Sequence, residues 1–393
     1  MRRAVVLGTA RSGQAAAALL ERNGVEVVVA GRDLGNDTDV SLLDGADLLV
    51  KSPGVPRDNP LVASARIPIW SEVELGYRLL PNPILGVTGT NGKTTTTEWL
   101  GEMFRAAGRD VAVAGNVGRA LTAVEAPADT WIVCELSSFQ LEDIHELRPR
   151  IAVLVNLEPD HLDRHGSFEA YRDAKLRIFE NQAAEDVAVV PHGFAGVPGR
   201  ARRIEFSADD ELPAEPGLPG RHNRENAAAA TTAARAGGIP EDAIAEALRS
   251  FPGVVHRLEL VAEIGGARFV NDSKATNTAA ARRALAAFDV ALHVILGGSR
   301  KGERFDELAR DLHGRGRAYL IGETADEIAD ALDRAGVAYV RCGDLATAVA
   351  RAAKAASPGE IVLLSPACAS YDQFDDFEHR GEEFRRLVQN LSG

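Results

Sequence analysis

Lysine is nearly missing from this 393-residue chain: Lys51, Lys93, Lys175, Lys274, Lys301 and Lys354 are its only six, and arginine supplies the other basic side chains. An ammonium is a compact point charge that can lose its proton, and a guanidinium is not. Each surviving lysine therefore marks a candidate site. Cysteine is scarce as well; Cys134, Cys342 and Cys368 are an odd number without metal-ligand spacing, which excludes a disulfide scaffold and predicts a reduced, cytoplasmic protein. No apolar run approaches the roughly 20 residues of a membrane helix. The apolar run in the opening MRRAVVLGT is shorter than that of a signal peptide, so none is expected. Positive charge is in deficit, with 44 basic against 57 acidic residues and a net charge of -13, so neither nucleic acid nor an anionic membrane is an expected partner. Any phosphate must be held by a local site.

What is present is an ordinary globular composition, 45% hydrophobic and 26% charged, and a length that suggests about two or three domains at roughly 150 residues each. A short strand, Ala4 to Leu7, runs into Gly8, Ala10 and Gly13, a helical stretch and a second strand at Val25 to Ala30. This is a β-turn-α-β unit whose turn carries alanine at the middle glycine of the dinucleotide fingerprint, which predicts a Rossmann-like shell without NAD. Pro81-Asn82-Pro83 reads as a linker. A second series of strands and helices starts at Ile84, and Phe251-Pro252-Gly253 ends it before a third series. The expected fold is α/β with three parallel-sheet domains: residues 1-81 Rossmann-like, 82-252 of the P-loop ATPase type, and 253-393 Rossmann-like.

The segment ILGVTGTNGKTTTTEWL is a strand, a loop with Gly89 and Gly92, then Lys93, Thr94 and a helix. Backbone N–H groups of such a loop wrap a phosphate, the helix dipole and the lysine add positive charge, and the threonine hydroxyl suits Mg2+. The general P-loop pattern would need glycine at Val87, yet strand, loop, Lys-Thr and helix stand in order. The strand WIVCE ends in Glu135, a candidate magnesium ligand, because ligands collect at the carboxyl ends of parallel strands. Another strand end carries Asn156 to His165; its acids and histidines suggest a second cation or substrate phosphates, with Asp163 and His165 read as solvated residues of a helix start. Lys175, in the amphipathic YRDAKLRIFEN, would ordinarily be a helix salt bridge, a role arginine fills elsewhere in this chain; its retention near Asp160 and His161 points to amine chemistry.

GTNGKTT, ELSSFQLE, EPDHLDRHG with the later lysine, HNRENAAAA, NDSKATN, LGGSRKG and SPACASYDQF occur in an order that resembles the Mur ligases over nearly the whole chain, with NDSKATN and SPACAS most similar to the D-glutamate-adding member. The resemblance implies a cytoplasmic, monomeric, ATP-dependent ligase of peptidoglycan synthesis that joins UDP-N-acetylmuramoyl-L-alanine to D-glutamate through an acyl phosphate. It implies that Gly89, Thr90, Asn91, Gly92, Lys93, Thr94 and Thr95 hold the triphosphate, Asn223 and Asn226 the adenine, and Arg257 and Asp272 phosphates and ribose. Two magnesium ions are implied, one on Thr94 and Glu135, the other on His161 and a carbamylated Lys175; Lys93, His161 and Lys175 would be catalytic. Arg11, Ser12, Arg32, Asn116, Ser137 and His161 match the nucleotide precursor site, and Thr276, Lys301, Ser370 and Phe377 the D-glutamate pocket. Gly31 stands where the family commonly has an acidic residue, with Asp33 nearby, and Tyr371 is bulkier than the usual aliphatic residue. The active site is expected to draw on both the second and third series. Competing readings are a Mur-type ligase for another amino acid, a P-loop phosphotransferase or nucleotide switch, and an NAD-dependent dehydrogenase, which Ala10 disfavours.

Overall fold

The computed structural model of the chain describes residues 1–218, 220–300, 302 and 304–391, and of Asp163 the backbone alone. Contacts divide it into two compact units, Met1–Phe251 and Pro252–Gly393. The first unit opens with β1 (Arg3–Leu7), α1 (Arg11–Arg22), β2 (Glu26–Ala30), β3 (Leu48–Lys51), α2 (Pro60–Ser64), β4 (Ile69–Ser71) and α3 (Glu72–Leu79). Their strands form a parallel sheet in the order β2-β1-β3-β4.

The chain continues through β5 (Ile84–Thr88), α4 (Lys93–Ala106), β6 (Val111–Gly115), β7 (Trp131–Glu135), α5 (Ser138–Leu141), β8 (Ile151–Leu154), α6 (Leu162–His165), α7 (Phe168–Leu176), β9 (Val187–Pro191), β10 (Arg202–Phe206), α8 (Arg221–Ala236) and α9 (Glu241–Ser250). These strands make a second parallel sheet, β10-β9-β8-β5-β7-β6. Every residue of β5 and β8 is buried, as expected of strands covered by helices on both faces. The alanines of α8 explain how it lies against α4: Ala227 to Ala230, Ala233 and Ala234 are buried and small, so the two backbones approach closely over Trp99, Leu100, Met103 and Phe104. Trp99 donates its indole N–H to the Ala247 carbonyl at 3.1 Å and stacks on Phe251 at 5.0 Å.

Both sheets belong to one unit because α3 is built into each. Its Val73 joins the core of the central sheet with Leu121 and Ile132. Glu72 and Glu74 are buried and point away from the first sheet's core. The Glu74 carboxylate accepts the backbone N–H groups of His145 (3.0 Å), Glu146 (2.9 Å) and Leu147 (2.9 Å) and the Arg78 Nε (2.7 Å). Glu72 accepts the N–H and hydroxyl of Thr122 at 2.6 and 2.7 Å, and burial pushes its carboxyl up while those bonds pull it down. Buried Lys51 completes the joint with Asp143 at 2.8 Å. The apolar pattern of residues 72–79 is ordinary amphipathic helix, and no local signal reveals that its acids face another sheet.

The second unit contains β11 (Glu259–Ile264), β12 (Ala267–Asn271), α10 (Thr278–Ala286), β13 (Leu292–Gly297), α11 (Asp306–Leu312), β14 (Gly316–Ile321), α12 (Ala325–Ala335), β15 (Tyr339–Gly343), α13 (Leu345–Ala355), β16 (Ile361–Leu364) and α14 (Phe377–Asn390). The sheet order is β11-β12-β16-β13-β14-β15. All pairs are parallel except β11 with β12, an antiparallel edge hairpin turned at Gly265 and Gly266. The chain is thus α/β, with parallel sheets in N-terminal, central and C-terminal domains. Among the described residues no helix is long and apolar enough to cross a membrane.

Removing the buried Glu74 carboxylate strands the backbone donors of His145, Glu146 and buried Leu147 and the Arg78 guanidinium, and loss of one partner from such a site costs roughly 3 kcal/mol. Glu74→Ala is therefore expected to lower the calorimetric unfolding temperature of the first unit by several degrees; a change within 1 °C contradicts the joint.

Candidate active site

In each sheet the residues of interest sit at the carboxyl ends of neighbouring strands, where the backbone leaves parallel pairing and side chains converge. In the central sheet these are the loops after β8, β5, β7 and β6, which are adjacent in that order. The loop after β5 runs from Gly89 to Gly92 and is pinned by Asn156, whose carbonyl accepts from Thr90 N (3.1 Å) and whose side-chain oxygen accepts from Asn91 N (2.8 Å). Asn91 Nδ2 donates to Glu158 at 2.9 Å. Gly92 caps α4 at φ +77, a left-handed conformation, and a Cβ there would lie 2.1 Å from Asn226 Oδ1. Only glycine fits between this turn and α8. Asn226, matched above to adenine, is thereby placed against the loop, and Asn223 lies one turn earlier on α8.

Two lysines meet at this loop. Lys93 Nζ donates to the carbonyls of Gly89 (2.9 Å) and Thr90 (3.0 Å), and Lys175 Nζ donates to the same Gly89 carbonyl at 2.7 Å. Lys175 lies on the buried face of α7, 2% exposed, with its ammonium position 4.6 Å from the ring centre of Tyr171. Burial, with the charge of Lys93 second, holds its amine well below the usual lysine range, against an opposing pull from Asp160 and Glu135. Tyr171 itself, pushed up to about 12 by burial, donates its hydroxyl to Thr90 Oγ1 at 3.1 Å. Sequence reasoning passed over Asn156 and Tyr171; an aromatic residue one helical turn before Lys175 was the available signal.

Glu135, the last residue of β7, is 3% exposed and accepts from Asn116 Nδ2 at 2.9 Å, so the residues after β6 and β7 are joined. Thr94 and Thr95 are buried in the first turn of α4. A threonine hydroxyl and a carboxylate suit a hard divalent cation, which keeps its remaining positions for water and phosphate oxygens. As an amine, Lys175 offers such a cation no ligand. Ser137 caps α5 in a reciprocal pair with Gln140. His161 is half exposed, caps α6 at φ +50, and lies 6.2 Å from the Tyr171 ring. His165 corrects the expectation of a solvated residue: its side chain is 3% exposed, stacked on Phe139, and bonded to Ser138 Oγ at 3.1 Å. The Asp163 side chain lies outside the described residues.

In the first sheet, the turn after β1 places Arg11 and Ser12 at the start of α1, and Arg11 donates to the Gly118 carbonyl at 2.8 Å, beside the Asn116 loop. Arg32 is exposed just after β2. A side chain at Gly31 would meet Thr9 Cγ2 at 2.5 Å and Asp33 Oδ1 at 2.7 Å, and Thr9 donates its hydroxyl to Asp33. The acid of this loop is carried two residues later, and the glycine makes room for it.

In the second unit, the loops after β12, β16 and β13 lie on adjacent strands. Asp272 is 5% exposed, accepts from Leu258 N (3.2 Å) and Ser365 Oγ (2.8 Å), and is pushed up to about 7 by burial, with the Ser365 bond and the charge of Arg257 opposing. Ser273 Oγ donates to the Phe377 carbonyl at 2.8 Å, and the Ser299 N–H donates to the Ala369 carbonyl at 2.9 Å. The loop that carries Thr276 is thus bonded to Phe377 at the start of α14, and the loop that carries Ser370 to the residues after β13. Lys301 lies outside the described residues. A residue the sequence did not disclose organises this end: fully buried Arg380 donates to Ser273 Oγ (3.0 Å) and O (2.9 Å), Cys368 O (3.1 Å) and Ala369 O (3.2 Å). Burial lowers it to about 10. Its only local signal is the glycine that follows in mid-helix, where a Cβ would strike His256 at 2.2 Å.

Known proteins resemble this chain in sequence and fold. Residues 87–195 match the family model of the Mur ligase middle domain, and residues 256–368 that of the Mur ligase, glutamate ligase domain. The chain is 41% identical to the UDP-N-acetylmuramoylalanine-D-glutamate ligase of Acidobacterium capsulatum, over 98% of this chain and 96% of that protein. It is equally 41% identical to the enzyme of that name from Geobacillus kaustophilus, over 99% and 98%. In fold it is similar to UDP-N-acetylmuramate-alanine ligase MurC of Thermotoga maritima, with a TM-score of 0.65, 20% identity and all of both chains covered. E. coli FolC in complex with ADP aligns at a TM-score of 0.59 and 20% identity over 82% of this chain and 93% of that one.

Proposed function

Because the chain belongs to the Mur ligase family, and to the branch named for D-glutamate, we propose that Lys93, His161 and Lys175 carry out its reaction. The enzyme is an ATP-dependent ligase that joins the L-alanyl carboxylate of UDP-N-acetylmuramoyl-L-alanine to the amine of D-glutamate in peptidoglycan precursor synthesis. A carboxylate is a poor electrophile, so ATP first converts it to an acyl phosphate; the amine attacks the acyl carbon, and phosphate leaves from the tetrahedral intermediate. The observation that carries the assignment of residues is the meeting of Lys93 and Lys175 at the Gly89 carbonyl.

Lys93 exchanges its two carbonyl contacts for the β/γ-phosphates, and the N–H groups of Gly89 to Thr95 share the remaining charge. Asn223 and Asn226 contact adenine, and Arg257 and Asp272 phosphates and ribose. Arg11, Ser12 and Arg32 take the uridine diphosphate, while Asn116, Ser137 and His161 contact the muramoyl-alanine. Thr276, Lys301, Ser370 and Phe377 bind D-glutamate. Residues 1-81 form the precursor domain, 82-252 the ATP domain and 253-393 the amino-acid domain of a cytoplasmic monomer. Two Mg2+ ions, when bound, neutralise phosphate charge; Thr94 and Glu135 would hold one, His161 and Lys175 the other. Lys175 becomes a ligand by adding its uncharged amine to the carbon of CO2, forming an N–C bond and releasing one proton to give an anionic carbamate. Arginine cannot follow this route, since its guanidinium stays protonated.

Release of ADP with UDP-N-acetylmuramoyl-L-alanine is expected with D-glutamate and not with L-alanine, L-lysine, meso-diaminopimelate or D-alanyl-D-alanine. Turnover with one of the others alone would assign the enzyme to a different step. Lys175→Arg and Lys175→Ala are each expected to lose about 100-fold or more in rate, with a short carboxylic acid partly rescuing only the alanine variant. Full activity in Lys175→Arg refutes the carbamate.

A further inference from the structure

Three residues of one helical turn grip a single phenylalanine. Phe139, four positions beyond Glu135, has the His161 ring tilted against it at 4.9 Å, the His165 ring stacked on it at 5.4 Å and 9°, and the Arg164 guanidinium carbon 4.1 Å from its centre. The turn needs this support. α6 is one turn long, and His161 caps it in the left-handed region at φ +50, ψ +34, which a residue with a Cβ adopts only where its surroundings impose it. His161 donates its own N–H to the neighbouring Asp160 carboxylate at 2.9 Å, its ring Nε2 lies 3.7 Å from the same carboxylate, and its carbonyl accepts from the N–H groups of Arg164 (3.1 Å) and His165 (3.0 Å) within the turn. The following residues are anchored elsewhere. His165 reaches Ser138 Oγ (3.1 Å) and Glu142 (3.3 Å), and Arg164 donates to the Val55 carbonyl (3.1 Å) of the N-terminal domain and lies 3.8 Å from Glu142. Glu142, 9% exposed, also faces Arg57 of that domain at 3.6 Å.

We infer that Arg164 and His165 are positioning residues: they lock the strained turn onto Phe139 and the 52–55 loop, and so fix where His161 stands relative to Glu135 and to the precursor domain. Neither touches the reacting atoms. The inference rests on the reading that His161 contacts the nucleotide precursor.

The test is a double-mutant cycle on precursor binding, joined to a view of His161 itself. The dissociation constant of UDP-N-acetylmuramoyl-L-alanine is measured by calorimetry without ATP for His161→Ala, Arg164→Met and the double variant; His165→Phe, which keeps a ring on Phe139 but loses both polar contacts, gives a second cycle. If Arg164 acts through His161, each single change weakens binding by about tenfold and the double by about the same factor, since coupled sites are not additive. Losses that multiply, to roughly 100-fold in both cycles, overturn the inference. The imidazole resonance of His161, assigned by its disappearance in His161→Ala, is expected to shift in Arg164→Met and His165→Phe; an unmoved resonance in both overturns the inference whatever the binding result. Wild-type affinity in His161→Ala instead overturns the functional reading of His161, and the resonance then decides the positioning alone.

Discussion

One carbonyl oxygen, that of Gly89, accepts hydrogen bonds from two lysines, and the central site depends on that crowding. Burial penalises the charged form of Lys175, and the like charge of Lys93 adds to that penalty. The protein relieves it by driving Lys175, the more deeply placed of the two, toward its uncharged form. Lys93 stands at the mouth of the loop, and Lys175 is buried behind it. The first suits an anion with several negative oxygens. We propose that the second adds to carbon dioxide, and that the carbamate so formed reverses the sign at its position. Arginine cannot follow that route, because its guanidinium stays protonated, and this is the reason we propose for the survival of lysine at position 175 among so many arginines.

The rest of the first unit holds that loop still. Asn156 binds two of its residues, Tyr171 ties it to the helix of Lys175, and Gly92 lets α8 close on it. The first sheet is fixed to the central one by Glu72, Glu74 and Lys51, so the residues after β1 and β2 keep a set distance from the loop after β5. Acid side chains buried against backbone amides serve here as the rivets of a domain joint. In the second unit Arg380 does comparable work, holding the loops after β12 and β16 together through the Ser273 hydroxyl and the carbonyls of Ser273, Cys368 and Ala369.

What the sequence disclosed follows a physical rule. The helix start at Lys93 and the strand end at Glu135 were legible because each is announced locally, by an apolar run, a glycine or a residue type with a specific chemistry. Lys175 drew attention through scarcity, since its neighbours gave no pattern beyond an amphipathic helix, and the structure places it buried against the Gly89 carbonyl. Glu74 and Arg380 were not legible, because what satisfies them is backbone from distant segments, and a carboxylate or guanidinium on a helix reads as solvated. His165 was misjudged for the same reason: the ring that buries it, Phe139, lies 26 residues earlier in the chain. The antiparallel β11 escaped notice because its alternating burial is weaker than the continuous apolar runs of the parallel strands.

The central claim, that the amine beside the phosphate loop is uncharged and takes up carbon dioxide, is tested most directly by carbon NMR of the full-length enzyme equilibrated with 13C-bicarbonate. The account predicts a carbamate carbon resonance in the wild-type protein that vanishes in Lys175→Ala and persists in Lys274→Ala and Lys354→Ala. A wild-type spectrum without such a resonance, or one unchanged by Lys175→Ala, would contradict it.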